Sequence, residues 1–131
     1  MDAAEDAGYI CDSASLADGG KGVRFTVQRY GVAEPAFVVR FDGKVYGFLN
    51  RCAHVPVELD WQEGEFFDHS RLYLICAVHG ALYDPQSGRC LGGRCNGRGL
   101  VPVPVMERDG RVFHEPSPSA TAQVIPQVSS L

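Results

Sequence analysis

Two short stretches of this chain each pair a cysteine with a histidine: Cys52-x-His54 and Cys76-x-x-His79, separated by residues 55–75. Thiolates and imidazoles are the soft and borderline donors that transition metals take. Two such arms converging on one point make a four-ligand metal site. The mixing within each arm bears on the metal. A structural zinc finger usually opens with two cysteines and closes with two histidines. A dinuclear iron–sulfur centre with two thiolates at one iron and two imidazoles at the other is served instead by one ligand of each kind from each loop. Incidental cysteines and histidines would need a large coincidence of spacing. A nucleophile at Cys76 with His79 as its base lacks an evident third, orienting group.

The elements that must position these arms read as strands. Residues 9–11 and 23–30 are apolar or rich in β-branched and aromatic side chains, which favours extended structure. Residues 36–41 and 44–49 flank Asp42-Gly43, and residues 100–106 and 111–114 flank Asp109-Gly110. An Asp-Gly pair between apolar runs is a strong hairpin signal, because both turn positions need positive φ. The first hairpin delivers Cys52. Residues 55–60 suit one helical turn, residues 72–75 a short strand ending on Cys76, and residues 82–91 a hairpin turning at Gly88. Pro102 and Pro104 cannot donate to a ladder, which places residues 100–106 at a sheet edge.

Length and composition set the frame. A chain of 131 residues fits one domain, expected over residues 1–114 and followed by a flexible Pro- and Ser-rich tail, 115–131. With 45% hydrophobic residues, 15 Gly and 8 Pro, an all-β fold is expected rather than a helical bundle. The net charge of −4 leaves no basic footprint for nucleic acid. The acidic first residues lack a signal-peptide pattern, and no apolar run approaches the roughly 20 residues of a membrane span. A cytoplasmic location is therefore expected, with no membrane partner and with all five cysteines as thiols or metal ligands.

The joint motif, Cys52-x-His54 then Cys76-x-x-His79-Gly80 with Tyr83-Asp84 behind it, resembles the Rieske iron–sulfur family. The strands before Cys52 and the turn at residues 84–88 are similar to the family's as well. Gly92-Gly93-Arg94-Cys95 lies where relatives carry a loop over the cluster, although Arg94 stands where a proline is expected. The resemblance implies an antiparallel β-sandwich carrying a small cluster-binding subdomain at about residues 51–97. It implies one [2Fe–2S] cluster held by Cys52 and Cys76 at the inner iron and by His54 and His79 at the outer one. Tyr83 stands where high-potential members place a hydroxyl that bonds a ligand sulfur; as an alternative it is a core aromatic with its hydroxyl facing water. Ala81 replaces the serine those members aim at a bridging sulfide. Val57 and Val78 replace two cysteines that join the ligand loops by a disulfide in respiratory members.

These departures make the chain more similar to the soluble ferredoxins of oxygenase systems. The implied function is one-electron transfer with no catalytic residue, between redox partners such as a reductase and an oxygenase. Alternatives are a small subunit that feeds electrons to, or regulates, a larger oxygenase or reductase, and a zinc-stabilised interaction module. Val55, Pro56, Val78 and Leu82 flank the histidines and form an expected docking rim. The acidic spacer Asp60, Glu63, Glu65 and Asp68 is either simply solvated or steers a basic partner. Trp61 belongs either to the core or to that rim. Cys11 and Cys90 read as small apolar strand residues and Cys95 as a lid-loop neighbour of the cluster, while His69 and His114 read as surface residues.

Overall fold

The structure, a computed structural model, describes residues 8–52, 57–78, 80–93 and 98–114. Its regular structure is antiparallel β apart from one 3₁₀ turn at Ser13–Ser15. In chain order the strands are β1 (Tyr9–Asp12), β2 (Val23–Arg29), β3 (Val32–Phe41), β4 (Lys44–Leu49), β5 (Leu74–Ile75), β6 (Leu82–Tyr83), β7 (Cys90–Gly92), β8 (Pro102–Val103), β9 (Val105–Arg108) and β10 (Arg111–His114). They form three sheets, with orders β1-β10-β9, β2-β3-β4-β8 and β5-β6-β7.

Three tight turns set the registers of the two larger sheets. Asp42 and Gly43 have φ of 52° and 83°, and Asp109 and Gly110 have 54° and 76°, both central residues being left-handed as a type I′ hairpin requires. Tyr30 and Gly31 repeat this geometry, at 52° and 79°, between β2 and β3. The sequence reading missed that turn, because a tyrosine at positive φ is unfavourable and gives no turn signal. β3 consequently begins before residue 36. It tolerates Pro35 because the β4 ladder ends at Ala36↔Leu49; just past it Pro35 O still accepts from Asn50 N–H at 2.8 Å, and the bond that a proline cannot donate falls beyond the end of β4.

Two expected strands are shorter than the sequence suggested. Only Leu74–Ile75 of residues 72–75 is a strand. Residues 100–106 divide at Pro104: β8 lies at the edge of the four-stranded sheet, and β9 joins the other sheet. A proline has no N–H to carry the ladder across, so the chain changes sheet there. Of the expected helical turn at 55–60, the described part, residues 57–60, is not helical. Residues 115–131 lie outside the described residues.

β3 contributes to three buried clusters, Ala36 joining Val27, Leu49 and Val103 in one of them. Its successive side chains point to opposite faces: Phe37 and Val39 belong to one buried cluster, with Phe48, Leu59, Phe66, Leu74 and Tyr83. Val38 belongs to another, with Cys11, Leu16 and Val112. Residues 36–39 are accordingly buried without alternation. Phe37 and Phe66 stack with centroids 3.9 Å apart, which anchors the spacer between the two cysteine arms on the four-stranded sheet.

Candidate metal centre

Each cysteine sits at the mouth of a hydrogen-bonded loop. Cys52 follows β4, and its N–H donates to the Val57 carbonyl at 2.7 Å. Cys76 follows β5; its N–H donates to Ala81 O at 2.9 Å, and Gly80 N–H donates back to Cys76 O at 2.7 Å. Gly80 closes this second loop at φ 75°, a left-handed conformation that glycine adopts without steric penalty. The loops are bridged directly, since Ala77 N–H donates to Leu59 O at 3.0 Å.

Both thiols face the same apolar cluster. Cys52 is 2% exposed and Cys76 is fully buried, and neither is in a disulfide. Tyr83 is buried beside them, its hydroxyl 3.6 Å from Cys52 Sγ, within hydrogen-bond reach for sulfur. Tyr83 is thus a fully buried aromatic whose hydroxyl reaches a motif cysteine rather than water. Ala81 is buried too. A Cβ on Gly93 would come 2.8 Å from Ala81 Cα, so residue 93 has to be glycine for the following chain to cross the second loop this closely. Two buried thiols with a phenol at hand fit the thiolate half of a [2Fe–2S] site. His54, His79, Val55, Pro56, Arg94 and Cys95 lie outside the described residues, and among the described residues no three metal-binding side chains gather.

Around this centre the structure revises several sequence expectations. Asp60 is only 2% exposed and neither solvates nor steers. Its carboxylate accepts from Arg24 Nε at 2.7 Å, Asn50 Nδ2 at 3.0 Å and Gly64 N at 2.9 Å. Burial pushes its pKa up, but the hydrogen bonds from Arg24, Asn50 and Gly64 outweigh burial and hold it below the usual carboxylate range. Arg24 stands far away in sequence, which is why the spacer's charges looked alike. Asp68 binds its own turn through Ser70 and Arg71, and Glu65 lies 3.9 Å from Lys21. Glu63 is exposed.

Trp61 is not core: it is 80% exposed, on a groove of about 620 Å³ that it shares with Lys21, Phe67, Arg71, Ile75 and Ala77. Val78 is 54% exposed and Leu82 half-buried. His69 is exposed, whereas His114 stacks at a tilt on Phe25, 5.9 Å away. Cys11 is a buried thiol, and burial raises its pKa. Cys90 is disulfide-bonded, contrary to the expectation of thiols throughout. Proximity of two cysteines in the fold decides that bond, and an argument from compartment leaves proximity out. The turn expected at 84–88 is present: Gly88 N–H donates to Asp84 O at 2.7 Å, and a Cβ on Gly88 would lie 2.7 Å from Phe48.

The class is an antiparallel β protein that buries two motif cysteines at the mouths of paired loops. The model of the Rieske [2Fe-2S] domain matches residues 7–124, and the chain belongs to that family. Among solved structures it is similar to the Sphingomonas yanoikuyae B1 ferredoxin, with 26% identity, TM-score 0.60, and coverage of 82% of this chain and 95% of that one. It shares its fold with the ferredoxin of carbazole 1,9a-dioxygenase from Nocardioides aromaticivorans IC177, with 20% identity, TM-score 0.63, and coverage of 83% and 96%. It also resembles the terminal oxygenase of carbazole 1,9a-dioxygenase from Novosphingobium sp. KA1, with 27% identity and TM-score 0.60, covering 81% of this chain but 28% of that one. No curated protein sequence matches. No helix among the described residues is long and apolar enough to cross a membrane.

Proposed function

We propose that this chain is a one-electron carrier, a Rieske-type ferredoxin that holds one [2Fe–2S] cluster and passes electrons from a reductase to an oxygenase. The observation that carries the reading is the burial of Cys52 and Cys76 in one apolar cluster, each at the mouth of its own loop. Cys52 and Cys76 hold the inner iron, and His54 and His79 the outer. When bound, a centre of this type supplies a one-electron couple at about −150 to +300 mV.

The chain's own residues set the conditions for that couple. Leu59, Leu74 and Phe66 pack with the two cysteines and exclude water from the sulfurs. Tyr83 offers its hydroxyl to Cys52, while Ala81 has none to offer. Val78 and Leu82, with Val55 and Pro56, supply an apolar rim for transient docking, and a ferredoxin needs only a small interface. The ferredoxins among its structural neighbours support a carrier. The partial match to a terminal oxygenase supports the second reading, in which such a domain works as a stable part of a larger oxygenase, and co-purification with an oxygenase chain separates the two.

Metal and sulfide analysis of the purified protein tests the proposal. Two irons and two acid-labile sulfides per chain, with an electron-spin resonance signal after dithionite reduction, are expected. Stoichiometric zinc without sulfide would replace the carrier by a zinc-stabilised module.

A further inference from the structure

We propose that Asn50 is a positioning residue that clasps the two cysteine loops together; this rests on the cluster reading above. Asn50 lies two residues before Cys52 and is 1% exposed. Its Oδ1 accepts from Leu59 N–H at 2.9 Å, and the carbonyl of that same Leu59 accepts from Ala77 N–H at 3.0 Å. Ala77 adjoins Cys76. Two hydrogen bonds through one buried residue, Leu59, therefore connect the neighbourhoods of the two thiols.

The clasp is itself held from behind. Asn50 Nδ2 donates to Asp60, whose second carboxylate oxygen accepts from Arg24 Nε on β2 and from Gly64 N–H. Asn50 is thereby fixed in the one amide orientation that presents its oxygen to Leu59. Every polar group in the chain of bonds is paired, the condition under which a buried network specifies a single arrangement. Val57 and Val78 offer no thiols for a covalent tie, so the loops depend on this relay for their spacing. Leu59 also packs among the same buried side chains as both cysteines, which means that a shift of Leu59 is felt at both.

The test uses the full-length protein as purified, with two readouts: backbone amide hydrogen exchange, and loss of visible absorbance to excess iron chelator. In Asn50→Leu the relay loses its anchor, and exchange at Leu59 and Ala77 should quicken about tenfold or more, the effect of orphaning a buried donor. Amides of β3 should keep their protection, and chelator should strip iron correspondingly faster. Asn50→Asp should act in the same direction, because it sets two carboxylates face to face. The exchanged pair Asn50→Asp with Asp60→Asn reverses the donor of the bond between positions 50 and 60 but keeps an oxygen for Leu59 N–H and another for Arg24 and Gly64; it should recover both readouts, and it decides the matter if Asn50→Leu does not fold. Unchanged exchange at Ala77 in Asn50→Leu, or equal loosening of Ala77 and β3, overturns the clasp while leaving the cluster reading intact. Iron-free wild-type protein overturns the cluster reading and with it the positioning role, even where Ala77 exchange responds.

Discussion

At the scale of single residues, the donors around Cys52 should set the potential. Tyr83 places its hydroxyl 3.6 Å from Cys52 Sγ, and a donor stabilises the added negative charge of a reduced centre. Tyr83→Phe should lower the midpoint potential by about 40 mV, taking a hydrogen bond near 1 kcal/mol and 59 mV per tenfold for one electron. Ala81→Ser should raise it by a similar amount, and wild type should fall in the lower half of the Rieske range. Voltammetry in which neither substitution moves the midpoint would remove the tuning role of both. Residue identities were the most legible feature of the sequence, since Cys52-x-His54 and Cys76-x-x-His79 are specific by spacing alone. The fates of Asp60 and Trp61 were not legible. Whether an acid is solvated or buried depends on partners such as Arg24, and only the fold brings that arginine near.

At the scale of elements, one ion pair joins the two larger sheets. Both Nη atoms of Arg40 on β3 donate to the Glu107 carboxylate on β9, and the guanidinium also donates to Leu16 O at 2.8 Å. Arg40 holds the Glu107 carboxyl down at about 2, below its ordinary 4.5. A depressed carboxyl contributes stability that is complete above the ordinary value and is lost as pH falls through 4.5 toward 2. Glu107→Gln should therefore destabilise the protein near neutrality by about 1 kcal/mol. Chemical denaturation should show that deficit shrinking between pH 5 and pH 2. A deficit constant with pH would assign it to packing instead. The Asp-Gly hairpins were readable because the dipeptide itself favours the turn, whereas the Tyr30-Gly31 turn and the sheet change at Pro104 depend on what the flanking strands pair with.

At the scale of the whole molecule, contact with partners should concentrate beside the second loop. Val78 is 54% exposed and sits two residues beyond Cys76. Val78→Asp should slow reduction by a cognate reductase about tenfold, as a buried charge in a small interface would, without altering the visible spectrum. Gln28→Asp, on the exposed face of β2, should leave the rate unchanged. Equal rates in both variants would place docking elsewhere. The all-β class was legible from composition and turns, and the sandwich was implied by the family resemblance of the motif, but the division into three sheets was not legible. β4 pairs with β8 through Gly47↔Val103 and Phe48↔Pro102, and the whole third sheet lies in the chain between them. The order of folding follows from this. β2, β3 and β4 are joined by adjacent two-residue turns and zip locally, whereas β8 must close a long loop against chain entropy before it meets β4. The metal arms ride on that loop, so in a newly made chain the β2-β3-β4 meander should form first, and the arms and the β8 edge should settle after it.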